Sequence, residues 1–145
     1  MDNINNLAVG NVSSAQCWKA LENSEDSYLV DVRAPEEWQE SGIADLSSIN
    51  KEVNLLTWIF FTPYVHHNDK FIDELENVFP DKSVKLYFMC KSGGRSAQAA
   101  NAAFSKGYKN SYNIDDGFIG NMFDSNLVQL DTNGWINSGL PRRAL

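Results

Sequence analysis

The stretch around residues 84–104 constrains the fold more than any other part of this chain, because its character changes twice within a short distance. Residues 84–89 form an apolar run with the composition of a buried strand. Residues 97–104 are rich in alanine and have the strong helix-forming character of a helix that lies close on a sheet. Between them stands the sequence Cys-Lys-Ser-Gly-Gly-Arg-Ser, residues 90–96. We therefore expect a strand, a tight loop and a helix, with the thiol of Cys90 at the end of the strand.

The loop that begins at Cys90 has the chemistry of an anion-binding cradle with a nucleophile at its base. Gly93 and Gly94 let the backbone curl so that successive N–H groups face inward, and the following helix adds the positive end of its dipole. Such surroundings favour the thiolate of a cysteine, which is the reactive form. The cationic heads of Lys91 and Arg95 reinforce this effect if they turn toward the loop. We interpret Cys90 as a reactive thiolate, and the alternative is an inert core cysteine followed by a simple turn.

Length and charge exclude several classes of protein. At 145 residues the chain suits one domain, residues 1–145, with a proper hydrophobic core. Its net charge of −7 argues against nucleic acid or an anionic membrane surface as the main partner. The first residues have neither a basic start nor an apolar core, and no apolar run is long enough to span a membrane, so we expect a cytoplasmic protein. In that reducing compartment a disulfide between Cys17 and Cys90 is not expected.

Strand and helix patterns alternate along the chain. Helices are predicted at residues 13–22, opened by a capping box, and at residues 34–40, 68–78 and 97–104. Strands are predicted at residues 28–33, 48–53, 84–89 and 111–114. This alternation produces βαβ units, so the predicted fold class is α/β, a central parallel β-sheet with helices on both faces.

Two charged residues stand at the end of the first long strand. Asp31 and Arg33 fall at its carboxyl end, where open α/β sheets place their sites. We prefer a structural role for them, as a buried ion pair or helix cap that fixes loops, over a role in catalysis.

The other residues with nucleophilic or metal-binding chemistry do not form a recognisable site. Cys17 lies on the first predicted helix and is interpreted as a small packed hydrophobe, with a resolving thiol for Cys90 as the alternative. His66 and His67 are adjacent and have no further Cys or His cluster, so no metal and no other cofactor is expected. A pairing of one histidine with Cys90 stays open, because spacing does not exclude it.

Two long connections allow more than one interpretation. The aromatic-rich segment 54–67 is either core packing or an apolar wall near the site, and Trp58 to Phe61 is our candidate for docking a protein partner. Residues 119–133 have the composition of a loop or of a short irregular helix.

Four motifs together resemble the rhodanese-like domain in its single-domain sulfurtransferase form. They are the strand and Pro-Glu-Glu-Trp motif of residues 29–38, the loop at residues 90–96, the sequence Ile-Asp-Asp-Gly-Phe at residues 114–118, and the closing segment 134–141. The resemblance covers most of the chain, and the loop is its most specific part. It implies that Cys90 is the nucleophile that carries a persulfide. It also implies a binding loop for a small anionic sulfur donor, formed by Lys91, Ser92, Gly93, Gly94, Arg95 and Ser96.

The resemblance implies a reaction as well. The Cys90 thiolate attacks the outer sulfur of a donor such as thiosulfate, sulfite leaves, and the persulfide passes its sulfur to cyanide, a thiol or a protein acceptor. Lys91 and Arg95 would bind the charge of the departing sulfite. The chain departs from the family pattern in two places: Ser41-Gly42-Ile43 stands where members usually have Gly-His-Ile, and the run before the final Trp135 is stretched.

Two other kinds of function compete with this interpretation. Phosphatases of the related cysteine type have five residues between cysteine and arginine, whereas Cys90 and Arg95 are separated by four, and the smaller ring suits a sulfur substituent better than a phosphate. An arsenate reductase with a short loop is a minor enzymatic alternative. The second kind is a catalytically silent binding or regulatory module, against which the complete cradle argues.

Overall fold

The structure is a computed structural model that describes residues 9–121 and 133–145. Its helices are α1 (Ser14–Asn23), α2 (Pro35–Ser41), α3 (Phe71–Val78) and α4 (Gly94–Ser105), with a 3₁₀ turn at Ser47–Ile49. Its strands are β1 (Gly10–Val12), β2 (Ser27–Asp31), β3 (Ile43–Ala44), β4 (Asn54–Leu55), β5 (Ile59–Phe60), β6 (His66–His67), β7 (Lys85–Met89), β8 (Ser111–Ile114) and β9 (Arg142–Arg143).

Five strands form a parallel sheet in the order β1-β8-β7-β2-β4. Two short antiparallel pairs, β3 with β9 and β5 with β6, stand outside this sheet. Strand β7 lies at the centre of the sheet, between β8 and β2. The loop that follows it therefore leaves from the middle of the carboxyl edge, where ligands bind in open α/β sheets.

Helices cover both faces of the sheet, which confirms the predicted α/β class. Leu86 and Phe88 of β7 pack in one apolar cluster with α3 and α4. Tyr87 and Met89 point to the opposite face and pack in a second cluster with α1 and Trp135. Strands buried on both faces read as continuous apolar runs, which explains the sequence pattern. The face of α4 that lies on the sheet is lined by buried small side chains, Ala99, Ala100 and Ala103.

The predicted start of the first helix is confirmed atom by atom. The Ser13 hydroxyl accepts a hydrogen bond from the Gln16 backbone N–H at 3.1 Å. The Gln16 side chain accepts one from the Ser13 N–H at 2.8 Å. This reciprocal pair satisfies two N–H groups that the helix itself leaves free.

The prediction of a strand at residues 48–53 is wrong. A 3₁₀ turn occupies Ser47–Ile49, and Asn50 follows with a left-handed φ of 59°. Strand β4 begins only at Asn54 and pairs with Val30 and Asp31 of β2. An asparagine tolerates the left-handed conformation better than most residues, and it turns the chain where a strand would have continued it.

The observed helix boundaries differ from the predicted ones by a few residues. α4 begins at Gly94, inside the predicted loop, and α3 begins at Phe71 rather than at residue 68. Most of the stretch 119–133 lies outside the described residues. Its two described ends are held together, because the Asn121 N–H donates to the Asn133 side-chain oxygen at 2.9 Å. None of the helices formed by residues 9–121 and 133–145 has the length and apolar character needed to cross a membrane.

Candidate active site

Cys90 lies directly after the central strand, at the base of the loop that leads into α4. Its side chain is buried, with 1% of the residue exposed. The Gly93 N–H donates a hydrogen bond to the Cys90 Sγ at 3.2 Å. The Ser96 hydroxyl lies 3.3 Å from the same sulfur. Both groups can stabilise negative charge on sulfur, because hydrogen bonds to the charged form favour it.

The loop is curled because its carbonyl groups are bound on the outer side. The Phe118 N–H donates to the Cys90 carbonyl at 2.8 Å, and the Ile119 N–H donates to the Lys91 carbonyl at 3.1 Å. The Asn121 side chain donates to the Ser92 carbonyl at 2.7 Å. In a trans peptide the N–H points away from the preceding carbonyl. The N–H groups that follow these carbonyls therefore face the inside of the loop, as the cradle requires.

Two glycines permit the close packing of the Cys90 loop against the turn after β8. Gly93 has a φ of +109°, and a Cβ placed there would stand 2.5 Å from the Asp115 carbonyl oxygen. Gly117 has a φ of +64°, and its added Cβ would collide with the Lys91 carbonyl. Residues that carry a side chain rarely adopt such positive φ values, so only glycine suits either position. The Cys90 loop therefore packs directly against the turn after β8, and this packing determines the conformation of the loop.

A chain of polar side chains holds Ser96 in place. The Ser96 hydroxyl donates to the Asn113 Oδ1 at 2.6 Å, and the Asn113 amide nitrogen donates to the Asn11 Oδ1 at 3.0 Å. Asn11 and Asn113 are opposite each other in the register of β1 and β8. A hydroxyl carries one hydrogen, so Ser96 donates either to Asn113 or to the Cys90 sulfur. Sequence reasoning missed both asparagines, although asparagine inside a strand is unusual enough to be a signal.

Arg95 is held by contacts with α2 and with the aromatic hairpin. Its guanidinium forms a two-point ion pair with Glu37 of α2, with Nη1 to Oε1 at 2.6 Å and Nη2 to Oε2 at 2.9 Å. The guanidinium also lies over the Phe61 ring, 5.4 Å from its centroid. Lys91, the other loop cation, is exposed. The contact of Arg95 and Lys91 with a departing sulfite stays a prediction.

Asp31 and Arg33 form a buried ion pair beneath the loops. The Arg33 Nη2 lies 2.8 Å from the Asp31 Oδ2, and the two side chains are 1% and 0% exposed. The Arg33 Nε also donates to Asp31, at 3.0 Å from Oδ1. Nη1 donates to the Ser41 hydroxyl at 2.8 Å, and Nη2 donates to the Gly42 carbonyl at 2.8 Å as well. The guanidinium lies 4.2 Å from the centroid of the Phe118 ring. These contacts join β2 to the end of α2 and to the segment that follows Asp116.

Two clefts flank the loop. One, of about 800 Å³, is lined by residues that include Asn11, Gly93, Gln98, Asn113 and Asp115. The other, of about 570 Å³, is lined by Arg33, Glu37, Glu40, Ser41, Phe61, Lys91, Arg95 and Ile119. The hairpin of β5 and β6 contributes to both, because Ile59 lines the first and Phe61 the second. The aromatic segment thus stands next to the loop, between the two clefts that flank it.

The remaining candidate residues lie elsewhere. Cys17 is fully buried on α1, in the apolar cluster on the face opposite α4, and burial foremost raises the pKa of its thiol far above the usual range. His66 and His67 form β6, where the Phe60 ring stacks on His66 and the Trp58 ring meets His67 edge-on. Within residues 9–121 and 133–145, no group of three or more His, Cys, Asp or Glu side chains is arranged to hold a metal ion.

Comparisons with known proteins agree with this architecture. A protein of Rickettsia conorii is 38% identical over 136 residues, which cover 93% of this chain and 98% of the relative. The rhodanese domain-containing protein CG4456 of Drosophila melanogaster is 32% identical over 98 residues, which cover 63% of this chain and 78% of that protein.

Two solved structures share the fold. The crystal structure of Rv0390 from M. tuberculosis has a TM-score of 0.80 and 36% identity, covering 94% of this chain and 98% of the other. The solution structure of the polysulfide-sulfur transferase from Wolinella succinogenes has a TM-score of 0.64 and 22% identity, covering 94% of this chain and 79% of the other.

The parallel sheet and the cysteine loop at its carboxyl edge define the class, which is that of rhodanese-like domains. A family model described as STR4 middle domain matches residues 9–144. The chain therefore belongs to the STR4 middle domain family.

Proposed function

We propose that this chain is a sulfurtransferase that carries sulfane sulfur as a persulfide on Cys90. The observation that carries the proposal is the position of the Cys90 sulfur, with the Gly93 N–H at 3.2 Å and the Ser96 hydroxyl at 3.3 Å. The Gly93 N–H stabilises a thiolate, and the Ser96 hydroxyl does so when its one hydrogen turns from Asn113 to the sulfur. The N–H groups of the loop can then hold the second sulfur. The family and the polysulfide-sulfur transferase of Wolinella, which shares the fold, support the same activity.

The reaction has two displacement steps. In the first, the Cys90 thiolate attacks the outer sulfur of thiosulfate, the S–S bond to the sulfonate breaks with its electron pair, and sulfite leaves. The persulfide anion on Cys90 carries one negative charge, as the thiolate did. In the second, a thiophilic acceptor such as cyanide attacks the terminal sulfur, thiocyanate leaves, and the thiolate returns. A thiol or a protein acceptor would take the sulfur in the same way, and no metal or organic cofactor enters either step.

The pairing of Arg95 argues against the phosphatase and arsenate alternatives. A phosphate or arsenate dianion would lie inside the loop and need free cationic charge there, whereas a sulfur donor need place only its outer sulfur at the loop. Glu37 already binds the Arg95 guanidinium at two points. The loop also has one residue fewer than a phosphate cradle, as its sequence shows.

A silent binding module is the second candidate, and the burial of Cys90 favours it. Only 1% of the residue is exposed, so a donor reaches the Cys90 sulfur only if the loop moves. Alkylation by iodoacetamide at neutral pH separates the two functions. A sulfurtransferase reacts within minutes at Cys90, whereas a silent module reacts at the rate of a buried thiol.

The decisive experiment is the mass of the intact protein after incubation with thiosulfate. The native chain should gain one sulfur atom, lose it on addition of cyanide and release thiocyanate. The Cys90→Ser variant should gain none. The Cys17→Ser variant should keep most of the gain, because Cys17 is buried on another face of the sheet. Equal losses in both variants would contradict a single-thiol mechanism. No gain in the folded native chain, with thiosulfate or with an organic persulfide as donor, would contradict the activity.

A further inference from the structure

We propose that Glu37 is a specificity-determining residue, which neutralises Arg95 and directs the Cys90 site toward organic persulfides rather than toward thiosulfate. The inference rests on the proposed sulfurtransferase function and names the donor class of the same site. Glu37 acts through Arg95 and is a positioning residue.

The geometry leaves Arg95 little freedom to serve as an anion clamp. Both oxygens of Glu37 are bound to the guanidinium, and the two side chains are 20% and 15% exposed. The Glu37 Oε1 also accepts a hydrogen bond from the Ala34 N–H at 2.9 Å, which fixes the carboxylate to the first turn of α2. The Phe61 ring covers the guanidinium from a centroid distance of 5.4 Å. Arg95 is therefore held between a helix, a ring and a carboxylate.

Both partners stay charged at neutral pH. Burial opposes the ionisation of Glu37, but hydrogen bonds from Arg95 and Ala34, with the charges of Arg95 and Arg33, keep the pKa of the carboxyl below its usual value. The hydrogen bond to Glu37 raises the pKa of Arg95, against the effect of burial. The negative charge of Glu37 therefore offsets the positive charge of Arg95.

The charges that line the two clefts give the donor little net attraction. Arg33 is bound to Asp31, and Arg95 is bound to Glu37. Lys91 is exposed at the rim of the smaller cleft, where Glu40 supplies an opposite charge. The larger cleft contains the carboxyl of Asp115. Burial foremost, together with the neighbouring Asp116 charge, raises the pKa of the Asp115 carboxyl.

The two donor classes place different charge in such a site. Thiosulfate enters as a dianion, and breaking its S–S bond releases sulfite, which carries two negative charges. An organic persulfide in its RSSH form is neutral. Attack of the Cys90 thiolate on its outer sulfur breaks the S–S bond and releases a thiolate with one negative charge, while the proton stays on the new persulfide. A site whose arginine is already neutralised discriminates against the donor with more charge.

The test compares donor selectivity in the native chain, Glu37→Gln and the control Glu36→Gln. Glutamine keeps the shape of Glu37 and an oxygen for the Ala34 N–H, but it releases the Arg95 charge. Glu36 is the preceding residue of the same helical turn, is exposed, and contacts Thr62 rather than Arg95. Its substitution removes the same unit of charge from α2. The donors are thiosulfate and the persulfide of 2-mercaptoethanol, and the reading is kcat/KM for sulfur loading of Cys90 with each.

We expect Glu37→Gln to raise kcat/KM for thiosulfate relative to the persulfide by about tenfold, the effect of removing one charge near a dianion in partly screened surroundings. The gain should shrink as salt rises from about 20 to about 500 mM, because the Debye length falls severalfold over that range. Glu36→Gln should change the ratio less than about twofold. The ratio is independent of how much of each variant is folded, because both donors report on the same active fraction.

The outcomes separate this inference from the function on which it rests. An unchanged or lowered ratio in Glu37→Gln, or a native chain that prefers thiosulfate, would overturn the role of Glu37 and leave the sulfurtransferase intact. The same gain in Glu36→Gln would show a general effect of net charge and would also overturn it. No sulfur on Cys90 with either donor, in any variant, would overturn the proposed function and this inference with it.

Discussion

The two adjacent glycines of the loop should respond in opposite ways to a single methyl group. Gly93 has a φ of +109°, and an added Cβ would stand 2.5 Å from the Asp115 carbonyl oxygen. Gly94 is the first residue of α4, and an added Cβ there would meet no atom within 4 Å. Gly93→Ala and Gly94→Ala therefore form a matched pair, with the same chemical change one residue apart.

The size of the Gly93→Ala effect follows from two costs. A non-glycine residue at a positive φ of this kind costs about 1–3 kcal/mol. An ordinary contact begins at 3.4 Å, so the Asp115 backbone or the loop must move by about 0.9 Å. Such overpacking costs about 1–3 kcal/mol. The free energy of unfolding should thus fall by about 3–4 kcal/mol, allowing for partial relaxation.

Gly94→Ala should be neutral or stabilising. Replacing glycine by alanine at a compatible position reduces the entropy of the unfolded chain and stabilises by about 0.4–1 kcal/mol. Urea denaturation followed by tryptophan fluorescence measures both variants on the same scale, provided that the slope of the transition is unchanged. Equal stabilities of the two variants would refute the close packing of the loop on the turn after β8.

Two further predictions concern the ion pair under the loops and the aromatic hairpin. Arg33→Met leaves the fully buried Asp31 carboxylate without its partner and should lower the free energy of unfolding by about 3–5 kcal/mol in urea denaturation, whereas Lys19→Met, at an exposed position of α1, should change it by less than about 0.5 kcal/mol. Docking of a protein acceptor at Trp58 to Phe61 stays a prediction, and Tyr64 and Val65, which follow this stretch in the same hairpin, are 68% and 70% exposed. Replacing both by serine should slow sulfur transfer to a thioredoxin by about fivefold and leave transfer to cyanide unchanged, and a parallel loss with both acceptors would argue against docking there.

Local chemistry explains what the sequence predicted well. The apolar run before Cys90 and the alanines after it each carry a periodicity that neighbouring residues alone determine, so strand, loop and helix were predicted in order. The capping box at Ser13 is a contact over three residues and was equally readable. The parallel sheet followed from the alternation of such segments.

Contacts between distant segments explain what the sequence left open. Glu37 and Arg95 are separated by 58 positions, and Asn113 and Asn11 by 102. Only the fold places α2 beside the loop, so the sequence could not show that Glu37 binds the Arg95 guanidinium. The strand prediction at residues 48–53 was wrong for a different reason. This segment has neither helical nor alternating periodicity, so its sequence does not indicate the left-handed turn at Asn50.

The missing family histidine illustrates how one backbone position changes the residues around it. Gly42 has a φ of +84°, and a Cβ there would stand 2.5 Å from the Arg143 carbonyl oxygen, because β9 pairs with the neighbouring β3. No histidine could occupy this backbone unless the C-terminal strand moved away. The Gly42 carbonyl instead accepts a hydrogen bond from Arg33 at 2.8 Å, and the Ser41 hydroxyl accepts another at 2.8 Å. The close approach of β9 therefore explains why position 42 is a glycine. Arg33 binds both Ser41 and Gly42 and so joins the end of α2 to β2.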